Sequence, residues 1–252
     1  MKKLRKLFLV SITLFFTVCM LSGQISGKNI FLPAADAADT DLSAAGIRTM
    51  AADSSDNNED DKPLLNTAVI LDPGHGGEDP GMVLGRIYEK DINLQITEKL
   101  RALLTDRGCS VFTTRDDDTY ISLEDRVKLT EKIKADLFLS IHLNAVDEDT
   151  VSSGIECYCN DSACPGSRQL AEAVQSETVN ETCARDRGVK GESDLYVVRK
   201  SRIPSCLIEA GFLTSDIERP LLLSDDYQSR IAEGIARGIQ HYLTEGREGN
   251  ES

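Results

Sequence analysis

The residues best suited to chemistry in this 252-residue chain are two histidines and two glutamates that lie beside apolar segments. The chain has three histidines in all, so each one is a candidate. His75 lies in the glycine-rich stretch DPGHGG, and His142 follows the apolar run DLFLSI. Glu89 stands in YEKDIN and Glu209 in CLIEAGF. Two histidines and a carboxylate with one open position are the donor set of a hydrolytic zinc site, and a further carboxylate suits proton transfer.

The order of the predicted elements explains how these residues could meet. Strands are predicted over 67–72, 109–114, 136–143, 153–159, 194–199 and 204–211, and helices over 90–108, 122–135, 167–181 and 227–243. This alternation predicts an α/β fold, a single domain with a mostly parallel, twisted central sheet flanked by helices. Reactive groups in such folds lie beyond the carboxyl ends of the strands, so the candidate residues are expected at one edge of the sheet.

Each candidate also has a purely structural interpretation, and spacing alone leaves these alternatives open. A lone His142 is typical of a hydrogen-bonded core histidine, Glu89 suits a helix N-terminus, and Glu209 could pair with an arginine. The glycine loop could cradle phosphate, although it lacks the P-loop Lys-Ser/Thr and the GxGxxG spacing. No HExxH or CxxC pattern fixes a metal site locally. The four residues therefore indicate a metal site without establishing it.

Nine short motifs, in order along residues 67–243, carry a family resemblance. They are VILDPGHGGEDPG, EKDINL, TTRDDD, LEDRVKL, ADLFLSIHLNA, SGIECY, RGVK, LYVVR and PSCLIEAGFLTS. In this order they resemble the zinc-dependent N-acetylmuramoyl-L-alanine amidases of bacterial cell walls. The resemblance implies hydrolysis of the amide bond between N-acetylmuramic acid and L-alanine in peptidoglycan, with Zn²⁺ as the cofactor.

The resemblance also assigns roles to individual residues. It implies that zinc is bound by His75, Glu89 and His142, and that Glu209 is the catalytic carboxylate. Three further residues are expected to bind substrate: Arg187, Lys190 and Asn144. The first two are cations in RGVK, which is predicted to be a loop that meets carboxylates of the substrate, and the third is expected to orient the site. The alternative interpretation of RGVK is a solvated loop without a role.

The biological setting follows from the same resemblance. A single catalytic domain with an N-terminal apolar segment and no wall-binding repeats is similar to the amidases of endospore cortex formation, although a role in division or autolysis fits the same residues. The alternative function is that of an inactive relative that binds peptidoglycan or activates another hydrolase. The intact set of four candidate residues favours an enzyme, and a protein activator of unknown identity is a further expected partner.

Charge and the N-terminal segment indicate where the protein acts. The formal net charge of −14 argues against nucleic-acid binding, which needs clustered Lys and Arg. Residues 1–27 are basic and then apolar, which predicts a signal peptide or an N-terminal membrane anchor. The protein is therefore expected to be secreted or to act at the outer face of the cytoplasmic membrane. Residues 28–66 predict a disordered linker, 67–245 the catalytic domain and 246–252 a tail.

The seven cysteines allow several interpretations. Cys109 and Cys206 lie in apolar strands, where a free thiol packs as a small hydrophobic group. A cysteine of the predicted strand 153–159 could form a disulfide with Cys164 or Cys183, since an exported domain permits such bonds. A second metal site made of cysteines is a weaker alternative.

Overall fold

The computed structural model describes residues 62–146 and 150–248, and these residues form an α/β fold. The strands are β1 (Ala68–Pro73), β2 (Val83–Leu84), β3 (Ile87–Tyr88), β4 (Ser110–Thr113), β5 (Leu137–Asn144), β6 (Ile155–Cys159), β7 (Asp186–Lys190) and β8 (Ser205–Phe212). The helices are α1 (Glu89–Asp106), α2 (Leu123–Lys132), α3 (Ser167–Thr182), α4 (Tyr196–Lys200), α5 (Glu218–Leu222) and α6 (Asp225–Glu248).

One sheet holds six of the strands in the order β4-β1-β5-β8-β6-β7. The strands β4, β1, β5 and β8 are parallel, whereas β6 runs antiparallel to β8 and β7 is parallel to β6. The predicted mostly parallel sheet with flanking helices is thus confirmed. Because β6 is reversed, its first residues lie beside the last residues of β8, and Glu156 pairs in register with Glu209. The reversal adds residues of β6 to the edge where the parallel strands end.

Apolar residues cover both faces of the sheet. The larger core lies against α1, α3 and α6, and α1 contributes Ile92, Ile96, Leu100 and Leu104, the stripe that its sequence period predicts. The opposite face packs against the short helices α2 and α4. Ser122 is the N-cap of α2, and its Oγ accepts a hydrogen bond from the Asp125 N–H at 3.1 Å, as the capping pattern predicts.

Two predicted elements differ in the structure. The stretch DLYVVR was predicted as a strand, but its last four residues lie in the helix α4, because Val197 and Val198 are buried against the sheet face rather than paired within the sheet. Packing overrides the strand preference of β-branched residues here. The stretch RGVK was predicted as a loop but lies in β7, an edge strand that pairs only with β6 among the described residues.

Both ends of the folded part extend beyond the predicted bounds. Leu64, in the predicted linker, is fully buried, and its N–H donates to the Arg107 carbonyl at 3.0 Å. At the other end, α6 continues to Glu248, within the predicted tail. The predicted signal peptide or anchor and nearly all of the predicted linker lie outside the described residues. In the part of the chain that the structure describes, no helix has the length and hydropathy of a membrane span.

The six described cysteines are free thiols. Four of them are buried, including Cys109 and Cys206, which confirms that these two pack in the core. Cys159 pairs in register with Cys206 across β6 and β8, and burial raises the pKa of both thiols. The predicted partners Cys164 and Cys183 lie nearer the surface and are likewise unpaired.

A buried ion pair fixes the end of β1. Asp72 is almost fully buried and lies 2.5 Å from Nη1 of Arg126, which reaches across from α2. The hydroxyls of Thr114 and Ser140 also donate to the Asp72 carboxylate, at 2.6 Å and 2.7 Å. This carboxylate therefore ties β1, β5, α2 and the segment after β4 together immediately before the DPGHGG loop.

We expect Asp72→Asn to lower the free energy of unfolding by about 3 kcal/mol, because Arg126 would stay buried without its charged partner. Urea denaturation at pH 7 measures this loss. The exposed pair of Glu131 and Arg202, 3.6 Å apart, provides the control, since Glu131→Gln should cost less than about 1 kcal/mol. Equal losses in the two variants would show that the buried pair adds nothing.

The same variant should change the acid stability. Burial raises the pKa of Asp72, but the charge of Arg126 and the hydroxyl donors outweigh burial, so the folded pKa lies below the ordinary value of about 3.9. The carboxylate of Asp72 therefore stabilises the fold fully at a pH above this ordinary pKa. This stabilisation is lost as the pH falls through the folded pKa. Wild-type stability should therefore fall more steeply below about pH 4 than that of Asp72→Asn.

Candidate active site

The predicted metal-binding residues meet at the carboxyl edge of the sheet. His75 follows β1, His142 lies near the end of β5, and Glu89 is the first residue of α1. Nε2 of His75 lies 3.2 Å from Glu89 Oε1, and Nδ1 of His142 lies 3.1 Å from the same oxygen. The two imidazole centroids are 4.8 Å apart. Three possible metal ligands, which are separated along the chain, thus surround one point.

Glu89 is held in place by backbone donors. Its side chain is 6% exposed, and the N–H groups of Leu143 and Met82 donate to Oε1 and Oε2 at 3.1 Å and 2.9 Å. Burial raises the pKa of Glu89, but the hydrogen bonds and charges of the two histidines outweigh burial and hold the pKa well below its usual range. Glu89 is therefore a carboxylate with a fixed orientation, as a metal ligand requires.

The imidazole of His75 has a second carboxylate neighbour. Nδ1 of His75 lies 2.8 Å from Asp79 Oδ2, so Nε2 is left to face Glu89. Burial lowers the pKa of His75, but Glu89 and Asp79 outweigh burial and raise it. The backbone of His75 has φ of 62°, an uncommon left-handed conformation for a residue with a side chain. Strain of this kind at a functional group persists where the surroundings hold it.

Two glycines give the site its close packing. A Cβ at Gly74 would lie 2.2 Å from Cε1 of His142. A Cβ at Gly81, whose φ is +64°, would lie 2.5 Å from Oε2 of Glu89 and 2.7 Å from Cδ2 of His75. The glycine-rich loop therefore serves to bring the backbone against the three candidate ligands.

Two buried arginines form hydrogen bonds with the backbone of the DPGHGG loop. Arg115 donates to the carbonyls of Pro73 and Gly74 at 3.0 Å and 2.8 Å. Arg126 donates to Pro73 at 3.0 Å and to the His75 carbonyl at 2.7 Å. These charge-assisted bonds fix the carbonyls of three consecutive residues, including the strained residue that carries the imidazole.

Glu209 lies beside the cluster of His75, Glu89 and His142. Register pairs it with His142 of β5 and with Glu156 of β6, so the three side chains form a row on one face of the sheet. Oε2 of Glu209 is buried and has no hydrogen-bond partner in the described part of the chain. Burial and the negative charges of Glu89 and Glu156 raise the pKa of Glu209 well above its usual range. A raised pKa suits a group that accepts and returns a proton.

The three predicted substrate-binding residues converge on Glu156. The Asn144 amide donates to its Oε1 at 2.7 Å, and Nε of Arg187 donates to its Oε2 at 3.1 Å. Nζ of Lys190 lies 4.0 Å from Oε2. The Tyr158 hydroxyl also donates to Oε1, at 2.9 Å. Two cations around one buried carboxylate leave a net positive charge at the end of the row.

The structure adds residues that the sequence predictions omitted. Arg115 and Arg126 stand in quoted motifs, but no role was assigned to them. Asp79 shares the loop of His75, and a carboxylate close to a metal-binding histidine is its usual orienting partner. Glu156 is a charged residue inside an apolar strand, the same signal that singled out Glu209. Both acidic residues were therefore detectable from the sequence.

Comparison with known proteins agrees with this geometry. The profile of a family described as N-acetylmuramoyl-L-alanine amidase matches residues 69–241. The chain belongs to this amidase family. The match confirms the predicted family and enzyme class, and hydrolysis of peptidoglycan amides is the activity of the family.

Solved amidases share the fold. A crystal structure of an N-acetylmuramoyl-L-alanine amidase from Clostridium difficile 630 is 43% identical, with a TM-score of 0.67 over 71% of this chain and 97% of that chain. The CwlD amidase from Clostridioides difficile, solved in complex with the GerS lipoprotein, is 36% identical, with a TM-score of 0.67 over 71% and 99%. The germination-specific amidase of Bacillus subtilis strain 168 is 34% identical over 73% of this chain and 82% of its own length.

The chemistry of the amidase site fits a zinc ion. The ligand atoms of His75, Glu89 and His142 all lie within 4.8 Å of one another. Nitrogen and carboxylate donors of this kind suit Zn²⁺, and three protein ligands leave a position for water or substrate. The ionised Glu89 between two imidazoles would neutralise part of the charge of a dication. The residues present therefore fit the cofactor that the family resemblance implies.

We expect Gly81→Ala to reduce hydrolysis of peptidoglycan at least about tenfold, because the new Cβ would displace Glu89 and His75. Release of soluble fragments from dye-labelled peptidoglycan measures this activity. Gly85 is a matched control, since its φ is also +64° but a Cβ there meets no atom within 4 Å. Gly85→Ala should cost about 1 kcal/mol of stability and keep the activity. Similar activity in the two variants would show that the glycine is not needed for the site.

Proposed function

We propose that this amidase uses Zn²⁺, bound by His75, Glu89 and His142, to hydrolyse the bond between N-acetylmuramic acid and L-alanine. The observation that carries the proposal is the convergence of these donors around one point, with the unpartnered oxygen of Glu209 beside them. When bound, the ion supplies Lewis acidity, which polarises an amide carbonyl and acidifies water.

The protein's own residues would handle the proton and the substrate. Glu209 takes a proton from the attacking water and passes it to the leaving amine of L-alanine, as its raised pKa and position favour. Arg187 and Lys190 bind carboxylates of the stem peptide, since both are cationic and partly exposed. Asn144 acts in the same region through its hydrogen bond to Glu156.

The biological part of the proposal rests on the relatives. Similarity to the germination-specific amidase of Bacillus subtilis and to CwlD supports a role in spore-cortex maturation. The CwlD structure includes the GerS lipoprotein, which supports adding a protein activator. Peptidoglycan lies outside the cytoplasmic membrane, so the proposal places the enzyme there, secreted or attached through residues 1–27.

Digestion of purified peptidoglycan, followed by mass analysis of the new termini, tests the reaction. We expect free L-alanine amines and free lactyl carboxyls, and we expect a chelator to abolish both until zinc is restored. New reducing sugars or cuts within the stem peptide would contradict the proposed bond. An inactive relative would bind peptidoglycan and release no new amine.

We expect Glu209→Gln to keep its zinc and to lose turnover at least about a hundredfold, since an amide cannot accept the proton. Glu89→Gln provides the contrast, because it should lose zinc as well as activity. Metal content by atomic emission and kcat on peptidoglycan separate the two effects. Near-normal turnover in Glu209→Gln would remove this residue from the chemistry.

A further inference from the structure

An apolar cavity opens beside both histidines of the site. It has a volume of about 170 Å³ and lies between the sheet face and the segments that precede α2 and begin α4. His75 and His142 line one side, and Val197 and Leu207 line the interior. A single water needs only about 15 Å³ by a comparable measure, so the cavity has room for a substrate group.

The rim of this cavity is aromatic and aliphatic. Tyr120, Leu123 and Leu195 are 47%, 50% and 40% exposed, and Tyr196 joins them in the lining. Neither tyrosine hydroxyl has a hydrogen-bond partner in the described part of the chain. Exposed apolar groups gathered around one opening, rather than scattered, are typical of a binding site.

The glycine-rich loop positions one of the two tyrosines. A Cβ at Gly77 would lie 2.6 Å from the backbone N of Tyr120 and 2.9 Å from its Cβ. A Cβ at Gly76 would lie 2.3 Å from the Thr119 carbonyl. These two glycines therefore let the segment that carries Tyr120 pack against the loop that carries His75.

The cavity presents no uncommitted cation. Its one arginine, Arg126, donates to the Asp72 carboxylate and to the carbonyls of Pro73, His75 and Ile121. The lining takes residues from β1, β5 and β8 but none from β6 or β7. The cations Arg187 and Lys190 lie in β7, at the opposite end of the row that contains Glu209. The two carboxylates in the lining, Asp72 and Asp79, are paired with Arg126 and His75. The site thus has a half that is mostly apolar, with its charges paired inside the protein, and a positively charged half.

The substrate of the proposed reaction has the same division. On one side of the scissile amide is a sugar ring, which is uncharged and has apolar C–H faces and hydroxyls. On the other side is a stem peptide, which carries carboxylates. Aromatic rings with polar tips suit the first, and arginine suits the second. A peptide carboxylate placed in the apolar half would lose hydration without a partner.

We propose that the cavity beside His75 and His142 binds the N-acetylmuramic acid ring, with Tyr120 and Tyr196 as sugar-contacting residues. The stem peptide then crosses Glu209 and extends towards Arg187 and Lys190. This inference rests on the proposed function and adds the direction in which the substrate lies.

Three soluble substrates test the direction. The first is an N-acetylmuramoyl peptide, the second has a D-lactoyl group in place of the sugar, and the third is the muramoyl peptide with its side carboxylates amidated. We expect Tyr120→Ala and Tyr196→Ala each to lower kcat/KM about tenfold on the first and third substrates. On the lactoyl peptide, both variants should match the wild type within about twofold.

Arg187→Gln should show the opposite pattern, with a loss of about tenfold on the first two substrates and little loss on the amidated peptide. Leu221→Ala, which removes an exposed apolar side chain of α5 outside the cavity, is the control and should behave as wild type on all three. Thermal unfolding of each variant excludes misfolding. Tyr120→Phe keeps the aromatic ring and should therefore keep most of the kcat/KM that Tyr120→Ala loses.

The outcomes separate the two proposals. Equal losses of kcat/KM in the tyrosine variants on the muramoyl and lactoyl peptides would overturn the sugar assignment. The amidase reaction would still stand in that case, because the wild-type enzyme would have hydrolysed the substrates. A tyrosine effect that disappears on amidation of the peptide would place the peptide in the cavity. A zinc-loaded wild type that releases L-alanine amine from none of the substrates would instead contradict the proposed reaction.

Discussion

The arrangement of the site depends on one buried carboxylate oxygen. Oε1 of Glu89 lies 3.1–3.2 Å from one nitrogen of each histidine and also accepts the N–H of Leu143. A buried carboxylate without compensation is costly, so its position requires these imidazole and N–H partners. The same requirement is what would make the cluster favourable for a dication. Packing of α1 against the sheet thus sets the geometry of the proposed metal ligands.

The surrounding scaffold restrains the backbone rather than the side chains alone. Arg115 and Arg126 donate hydrogen bonds to carbonyls of the DPGHGG loop, and Arg126 is itself held by the carboxylate of Asp72. The glycines of the loop then allow approaches that a Cβ would prevent. Together these contacts hold His75 in a left-handed backbone conformation. Preorganisation of this kind lets a site act without rearranging at the moment of reaction.

The reversed strand β6 gives the site its asymmetry. It brings Glu156 into register with Glu209, and Glu156 collects Arg187 and Lys190 at one end of the row. The other end, beside the histidines, is apolar and aromatic. A substrate with one neutral half and one charged half therefore meets matching surroundings on the two sides of Glu209. The reversal of β6 therefore also sets the direction in which the proposed substrate lies.

The sequence by itself determined the elements and the candidate set. Hydrophobic periods predicted most strands and helices, and the position of His75, Glu89, His142 and Glu209 beside those elements singled them out. The prediction of secondary structure was wrong at DLYVVR and RGVK, because local preference cannot show whether a segment covers a sheet or joins its edge. Asp79 and Glu156 were visible as charges in unusual places, but their partners were not. Only the tertiary structure decided which donors share one oxygen, which cations surround Glu156 and where the apolar cavity opens. Those facts depend on strand order, on the reversal of β6 and on contacts between residues far apart in the chain, and no local pattern encodes them.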